Sequence, residues 1–467
     1  MVAALKKLTK KFISGFCKDT GSALIYVLIL SVILSIILCV IFSFSILHRQ
    51  LLNRKFSFLQ SRNTAWSAAA ARTAEIETEQ NKINFSLRDR KSIKIAHKDS
   101  CEVLSFRWGA FWKLRCDSRK NTESYHLEML MGRPLSAEFV PAIITAPSPD
   151  PLILTGKTSI WGEVNTGTAG VRKGHLGNTR YLNKNLVNGV ISLSTEERRP
   201  AIDRKFCRAL FSFMEHCFNC NTKPFSDYIT NSGNSIFFSD NVRNLFPVIF
   251  ITDRQINSKD WNFSGPAILL ASEPMIIRRP LTLNNYVMLA STHSISLEAP
   301  VYFENVILYT PKNIEIKQIS QFSGQIFSRA SIIIHNRIIL DYPSLIMVNS
   351  ETGSSSIQIQ DSAKVAGWVL YTCESRNHCN KGSEGNITIG KEATVNGLVY
   401  SDLSVQLMGS VNGMVITESF HLYRNGAVYH NWIMDGTVNR FRLNDDNFSL
   451  PLFFFNKRNK LCITTVK

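Results

Sequence analysis

Two apolar residues two apart, a gap of five, then apolar, any, Gly, any, apolar: this spacing occurs five times in the chain. The copies are Leu152, Leu154, Ile160, Gly162, Val164; Ile314, Ile316, Phe322, Gly324, Ile326; Ile357, Ile359, Val365, Gly367, Val369; Ile387, Ile389, Val395, Gly397, Val399; and Leu403, Val405, Val411, Gly413, Val415. Degenerate copies without the Gly begin at Ile268, Leu281, Ile295, Ile332 and Phe420, so the register runs through residues 266–435. Alternation of period two gives each short strand an inward and an outward face, and the Gly permits a bend or a close approach between strands. The starts at Ile387, Leu403 and Phe420 are 16 and 17 residues apart, too short for a helix in every repeat. Strands that expose an apolar stripe which only the next copy can cover imply a parallel β-helix, with strands about 4.8 Å apart. The alternative built from the same strands is an antiparallel sandwich. The expected fold class is therefore mainly β: an N-terminal transmembrane α-helix, a β hairpin region, then a parallel β-helix (β-solenoid) with an inserted side domain.

A second feature bears on where that body sits. Ser22 to Leu47 are 26 residues without Asp, Glu, Lys, Arg or His. At about 1.5 Å per residue a helix of this length reaches about 39 Å, enough for a hydrocarbon core of about 30 Å. A single transmembrane helix over 22–47 is expected, against a buried core helix or a cleaved secretory signal, whose apolar region is only about 7 to 15 residues. Lys6, Lys7, Lys10, Lys11 and Lys18 precede the span with only Asp19 opposing. By the positive-inside rule this leaves the N-terminus cytoplasmic and the body periplasmic or extracellular, although Arg49, Arg54, Lys55 and Arg62 pull the other way. Leu51 to Glu79, with Ala65, Ala68 to Ala71 and no Pro or Gly, continues as helix.

A basic leader, then Gly21, then this span with its helical continuation resembles type IV pilin-like proteins and the minor pseudopilins of type II secretion over about residues 15–80. The resemblance implies cleavage by a prepilin peptidase after Gly21, leaving Ser22 as the first residue; the alternative is an uncleaved signal anchor. Ser22 stands where the family usually has Phe or Met, and Tyr26 where most members carry Glu. Some minor members at the filament tip also lack that Glu, so the resemblance bears on export more than on bulk polymerisation. Farther along, Ile387 to Tyr400 and Gly409 to Val415 resemble bactofilin-like polymer-forming domains, which are cytosolic scaffolds.

Residues 82–140 read as β, with Phe106, Trp108, Phe111 and Trp112 clustered about a turn at Trp108-Gly109. With that turn Cys101 falls opposite Cys116, which suggests a cross-strand disulfide; two unrelated reduced thiols are the alternative. Pro141 to Pro151 reads as a linker. The start-to-start distance from Ile357 to Ile387 leaves a loop that holds Cys373 and Cys379, close enough for a small loop-closing disulfide outside the cell. The longest interruption of the repeat, about 166–262, contains an expected helix from about Ala201 to Phe218 and reads as a lid or side domain. The organisation expected is a basic leader 1–21, transmembrane helix 22–47, helical extension 48–80, β hairpin region and linker 81–150, first β-helix coil 151–165, insertion 166–262, parallel β-helix 263–440 and tail 441–467.

Chemistry is faint. His216, Cys217 and Cys220 with Cys207 form a conceivable zinc set, but the second Cys-x-x-Cys pair of a structural site is missing, and no metal or other cofactor is expected. Asp361, Lys364, Lys391 and Asp402 are the charged residues a polysaccharide-cleaving β-helix would use; they are scattered, read as solvated surface, and no catalytic residue is assigned. The chain carries +17 at pH 7, which favours anionic surfaces without concentrating in a stripe. The function expected is that of a non-enzymatic, membrane-anchored envelope protein, a structural or assembly component of a pilus- or secretion-type apparatus or of the cell surface. Its partners would be the lipid bilayer and pilin-like or envelope proteins, with anionic glycan or DNA as further candidates. The alternatives are a surface β-helix that binds or cleaves glycans and a bactofilin-like cytoskeletal scaffold.

Overall fold

A computed structural model of the chain describes residues 23–79, 89–96, 99–220, 223–228, 234–238, 246–374, 385–455 and 460–466. The chain divides into two compact units, one of residues 1–68, 93–101 and 117–126, the other of 69–92, 102–116 and 127–467. With no Gly or Pro in its length, Ala23–Glu79 forms one unbroken helix, so the expected span and extension are a single element. It is long and apolar enough to cross a membrane.

Within the first unit the apolar half of the helix is bare on every side, Leu24 and Phe44 being 80% and 70% exposed. A helix that is apolar all round requires an apolar surrounding. Farther along, Ser57, Ser61, Thr64, Ala65 and Ala68 are buried at three- and four-residue spacing. Ser61 Oγ donates to the Ser118 carbonyl at 2.9 Å, Asn121 Nδ2 donates to Ser57 Oγ at 2.9 Å, and Phe58 meets Tyr125 edge-on at 5.6 Å.

Asp89–Ala96, Asp99–Trp108, Phe111–Lys120, Glu123–Gly132 and Cys462–Val466 form one sheet in that order. Its central turn is Gly109–Ala110, one residue beyond the expected Trp108-Gly109. Gly109 takes φ +59 there, a left-handed conformation that Gly adopts at little cost and Trp does not.

The body of the second unit is made of short strands in parallel register. On one side Met275–Ile277, Ile295–Leu297, Ile314–Ile316, Ile332–Ile334, Ile357–Ile359, Ile387–Ile389, Ser404–Leu407 and Ser419–Arg424 pair in succession, and Ala427–His430 closes the row antiparallel. From Met275–Ile277 to Ile387–Ile389 these strands alternate buried and half-buried residues, as a sheet with one wet face should, whereas Ser404–Leu407 is buried throughout. A longer parallel sheet faces it. Here Ala267–Ala271 pairs with Val287–Ser291, and the succession runs on through Val301–Thr310, Gln321–Ser328, Ile339–Ser350, Lys364–Cys373 and Thr394–Ser401 to Ser410–Thr417. Ala267–Ala271 is buried at every position, because both faces of this sheet are covered.

The repeated spacing identifies the inward residues. Val365, Val395 and Val411 are register partners, as are Ile357 and Ile387, and all lie in one apolar core. In the last copy the pairing slips by two: Ile387 meets Val405, not Leu403. A slip of two leaves each side chain on its own face, so the core is kept.

Two expectations for the first half of the body are revised. The segment expected to be a linker contributes Ile143–Thr145, which pairs with Val415–Thr417 and Val164–Asn165. The first copy of the repeat lies against the far C-terminal strands, Ile153 opposite Trp432 and Ile160 opposite Val438. Residues 166–262 are not one lid. Val171–Lys173 and Ile191–Leu193 extend the paired strands beyond the first copy, whereas Ser235–Phe237 and Val248–Phe250 pair with Trp261–Ser264 and Ala267–Ala271 at the opposite end.

Between these end strands the chain runs along the outer face of the long sheet as a helix, Arg204–His216. The hairpin tip and residues 448–454 share that face, and together they make a second core. Phe111 meets Trp368 at 4.9 Å, Trp108 meets Tyr286 at 5.4 Å, and Phe211 meets Tyr309 at 6.1 Å. Aromatic pairs of this kind add about 0.5–1.5 kcal/mol each beyond area burial. The buried Gln325 fixes the hairpin tip, accepting from Ala110 N at 2.8 Å and donating to the Trp108 carbonyl at 2.9 Å.

Candidate functional site

The densest buried polar chemistry lies where the 204–216 helix crosses the ends of the long sheet's strands. Asp203 caps the helix, accepting from Lys205 N and Phe206 N at 3.0 and 3.1 Å, which starts the helix three residues after the expected Ala201. Arg204 then projects from the first turn toward Asp402, Nη2 to Oδ2 at 2.9 Å, while Nη1 donates to the Cys373 carbonyl. Asp402 was expected on the surface; its side chain is 1% exposed. Oδ2 also accepts from Cys373 N at 3.0 Å and Oδ1 from Tyr400 Oη at 3.2 Å. A buried carboxylate needs this degree of satisfaction.

Three turns on, Glu215 accepts from Arg329 Nε at 2.9 Å and from Tyr309 Oη at 3.1 Å. The other arm of Arg329 meets Glu374, which also accepts from Asn349 Nδ2 at 3.2 Å, and the guanidinium lies 4.8 Å over the Phe211 ring. Burial disfavours the Arg329 charge, but its bonds to Glu374 and Glu215 outweigh that and leave its pKa raised. Burial, then the Glu215 charge, raises the Tyr309 phenol. A narrow cleft of about 10 Å³ between these groups is lined by Arg204, Cys207, Asn349, Thr372, Glu374 and Asp402. Burial above all raises the pKa of the Cys207 thiol, so at neutral pH it is no nucleophile.

A second charged contact binds the hairpin to the same sheet. Lys113 Nζ lies 3.0 Å from Glu128 and 4.7 Å over the Tyr286 ring, and Tyr286 Oη donates to Glu128 at 2.6 Å. In both clusters the carboxylates are occupied by cations and phenols of neighbouring elements. Such an arrangement clamps a helix and a hairpin onto a sheet.

The remaining residues singled out by sequence are dispersed. Asp361, Lys364 and Lys391 are exposed. Cys217 Sγ donates to the Phe213 carbonyl at 3.3 Å and Cys220 Sγ to that of His216 at 3.5 Å, and among the described residues no three His, Cys, Asp or Glu are grouped to hold a metal. Cys101 and Cys116 are buried thiols. Cys373 is disulfide-bonded; Cys379, its expected partner, lies outside the described residues, as do Gly21 and Ser22. Arg204, Glu215, Arg329 and Glu374 were not foreseen, and no local pattern marks them, since Arg329 and Glu215 are 114 positions apart.

No protein-family model, curated protein or solved structure matches the chain.

Proposed function

We propose that this is a membrane-anchored, exported, pilin-like envelope protein whose body is a parallel β-helix, and that it serves as a structural or assembly component of a pilus- or secretion-type apparatus or of the cell surface. The observation that carries the reading is the single helix Ala23–Glu79, apolar and bare over its first half and packed through small residues, Ser57, Ser61 and Ala65, farther on. A membrane suits the first half, and a folded body tethered directly to its surface suits the second. The β-helix reading is supported by the register: Ile357 to Ile387 in one sheet and Val365, Val395 and Val411 in the other keep the same inward columns from strand to strand. The lysines before the span put the N-terminus in the cytoplasm, and a disulfide at Cys373 fits an oxidising compartment. The satisfied carboxylates of the two clamps support a body that does no chemistry of its own.

Protease added to intact spheroplasts tests this. The body after about residue 50 is degraded, and N-terminal sequencing of protein from native membranes finds Ser22 first. Recovery of Met1 alone reduces the leader to a plain signal anchor. A body protected until the membrane is lysed transfers the reading to a cytosolic scaffold.

A further inference from the structure

The two ends of the parallel strands are finished differently. At one, Phe225, Ile236, Phe238, Ile249, Ile256 and Trp261 are buried. At the other, no residue from Val171 to Arg199 is fully buried: Leu182, Val190 and Leu193 are 66%, 65% and 52% exposed. Arrays of stacked strands need a polar cap at each end to remain single in water, and at this end exposed apolar side chains stand among the polar ones.

Among the described residues its outermost strand has a partner on one edge only. Ile191–Leu193 continues an interior column that passes through Val415, Ile143, Val164 and Ile191 by successive register partners. Val164 N donates to the Val190 carbonyl, and Ser194 N donates to the Thr166 carbonyl. Backbone groups alternate sides along a strand, so those of Ile191 and Leu193 point away from this pairing. Residues 170–194 hold Arg172, Lys173, Arg180 and Lys184 and no Asp or Glu, and all four cations are exposed, while a carboxylate just before the preceding strand, Glu163, accepts from Ser192 Oγ at 2.8 Å.

We propose that this end docks an extended acidic segment of a partner protein, which adds as a strand beside Ile191–Leu193, continues the apolar column over Ile191 and Leu193, and sets its carboxylates toward the four cations. Strand addition supplies backbone bonds and side-chain pockets together, and the cations select and steer an acidic partner. A second copy of this chain is disfavoured at this face: the same face would bring two sets of four cations together, and the opposite end is covered. The inference does not rest on the export reading, since the face is the same on either side of a membrane.

The test uses the full chain in nonionic detergent and a fluorescent peptide, Glu-Val-Glu-Val-Glu-Val-Glu, followed by anisotropy. The peptide binds saturably, and binding weakens at least tenfold on raising salt from about 50 to 500 mM, which shortens the Debye length roughly threefold. Leu193→Pro removes one outward N–H and none of the inner bonds, and weakens binding at least tenfold; so, separately, does reversal of Arg172, Lys173, Arg180 and Lys184 to Glu. Melting curves of both variants confirm that they fold. A peptide with Gly in place of Val binds at least tenfold more weakly. The proposal is overturned by any of four results: no saturable binding below 1 mM; equal binding of the Gly peptide; sedimentation showing a wild-type dimer that Leu193→Pro dissolves; or phosphatidylglycerol vesicles that capture the body and displace the peptide equally from wild type and Leu193→Pro.

Discussion

Gly413 lies directly opposite Gly397 in parallel register, and a Cβ built on Gly413 would stand 1.9 Å from the Gly397 carbonyl oxygen. Gly397 meets the carbonyl of Gly367 in the same way, so three successive strands bend at one place, at φ values that L side chains rarely adopt. Gly413→Ala therefore combines a backbone clash with an unfavourable φ. It should destabilise the body by about 2–4 kcal/mol, read as a lowered midpoint in denaturant melts of the detergent-solubilised chain, whereas Gly177→Ala, at a turn where an added Cβ meets nothing, should cost about 1 kcal/mol or less, from its positive φ alone.

Val411 has no solvent exposure and is the register partner of Val395. Val411→Asp puts a carboxylate into the first apolar core, costing several kcal/mol or forcing its protonation. Melting should fall sharply at pH 7 and recover in part toward pH 4. A mutant as stable as the parent would show that the position is not interior.

Asp402 and Arg204 form the clamp between helix and sheet. Asp402→Ala strands Arg204 and the Cys373 N–H and should cost about 3–5 kcal/mol, as breaking a buried pair generally does. Asp361→Ala, Lys364→Ala and Lys391→Ala, on exposed side chains, should stay within about ±0.5 kcal/mol. The comparison separates a structural charge from a surface one by urea titration of the same four proteins.

Burial pushes the Cys217 thiol up to about 12 and that of Cys462 up to about 11, from an ordinary value of 9.0. Folded, both hold their protons more tightly than in the unfolded chain, so their contribution is full below about pH 9 and declines as pH rises through 11 and 12. At pH 8, iodoacetamide should modify both at least tenfold more slowly in the native protein than in urea, since the thiolate is the reacting form. Mass mapping of the alkylated peptides reads this directly.

The inward columns were legible because an interior row must repeat the same residue type at every strand, and Val365, Val395 and Val411 do so at constant spacing. The outer face of the long sheet was not read, although runs such as Trp368-Val369-Leu370-Tyr371, apolar without alternation, are what a strand covered on both sides requires. Asp402 was misplaced because its neighbours Ser401 and Leu403 look like a turn, and the group that buries it, Arg204, is 198 positions away. The hairpin turn was set one residue early, since four aromatics gave no preference, whereas the φ of Gly109 decides it. Where residues 166–262 would go could not be read from the spacing: their strand partners lie on both ends of the body, and nothing local selects between them.

The pairing of the first copy of the repeat with the last strands has a consequence for the order of assembly. Thr158 donates to the carbonyl of Ile433, 275 positions away, so the strands near residue 160 can pair on one edge with the strands that follow them, Val171–Lys173 and Ile191–Leu193, but gain the partners on their other edge only when the end of the chain arrives. Closing so long a loop slows folding, because its entropy is lost before the contacts form. In a vectorially released chain the C-terminal side of Leu154 and Ile160 therefore waits uncovered while nearly three hundred residues follow. A truncation before Trp432 leaves them so permanently, and such a fragment should aggregate even though every strand between 266 and 417 is intact.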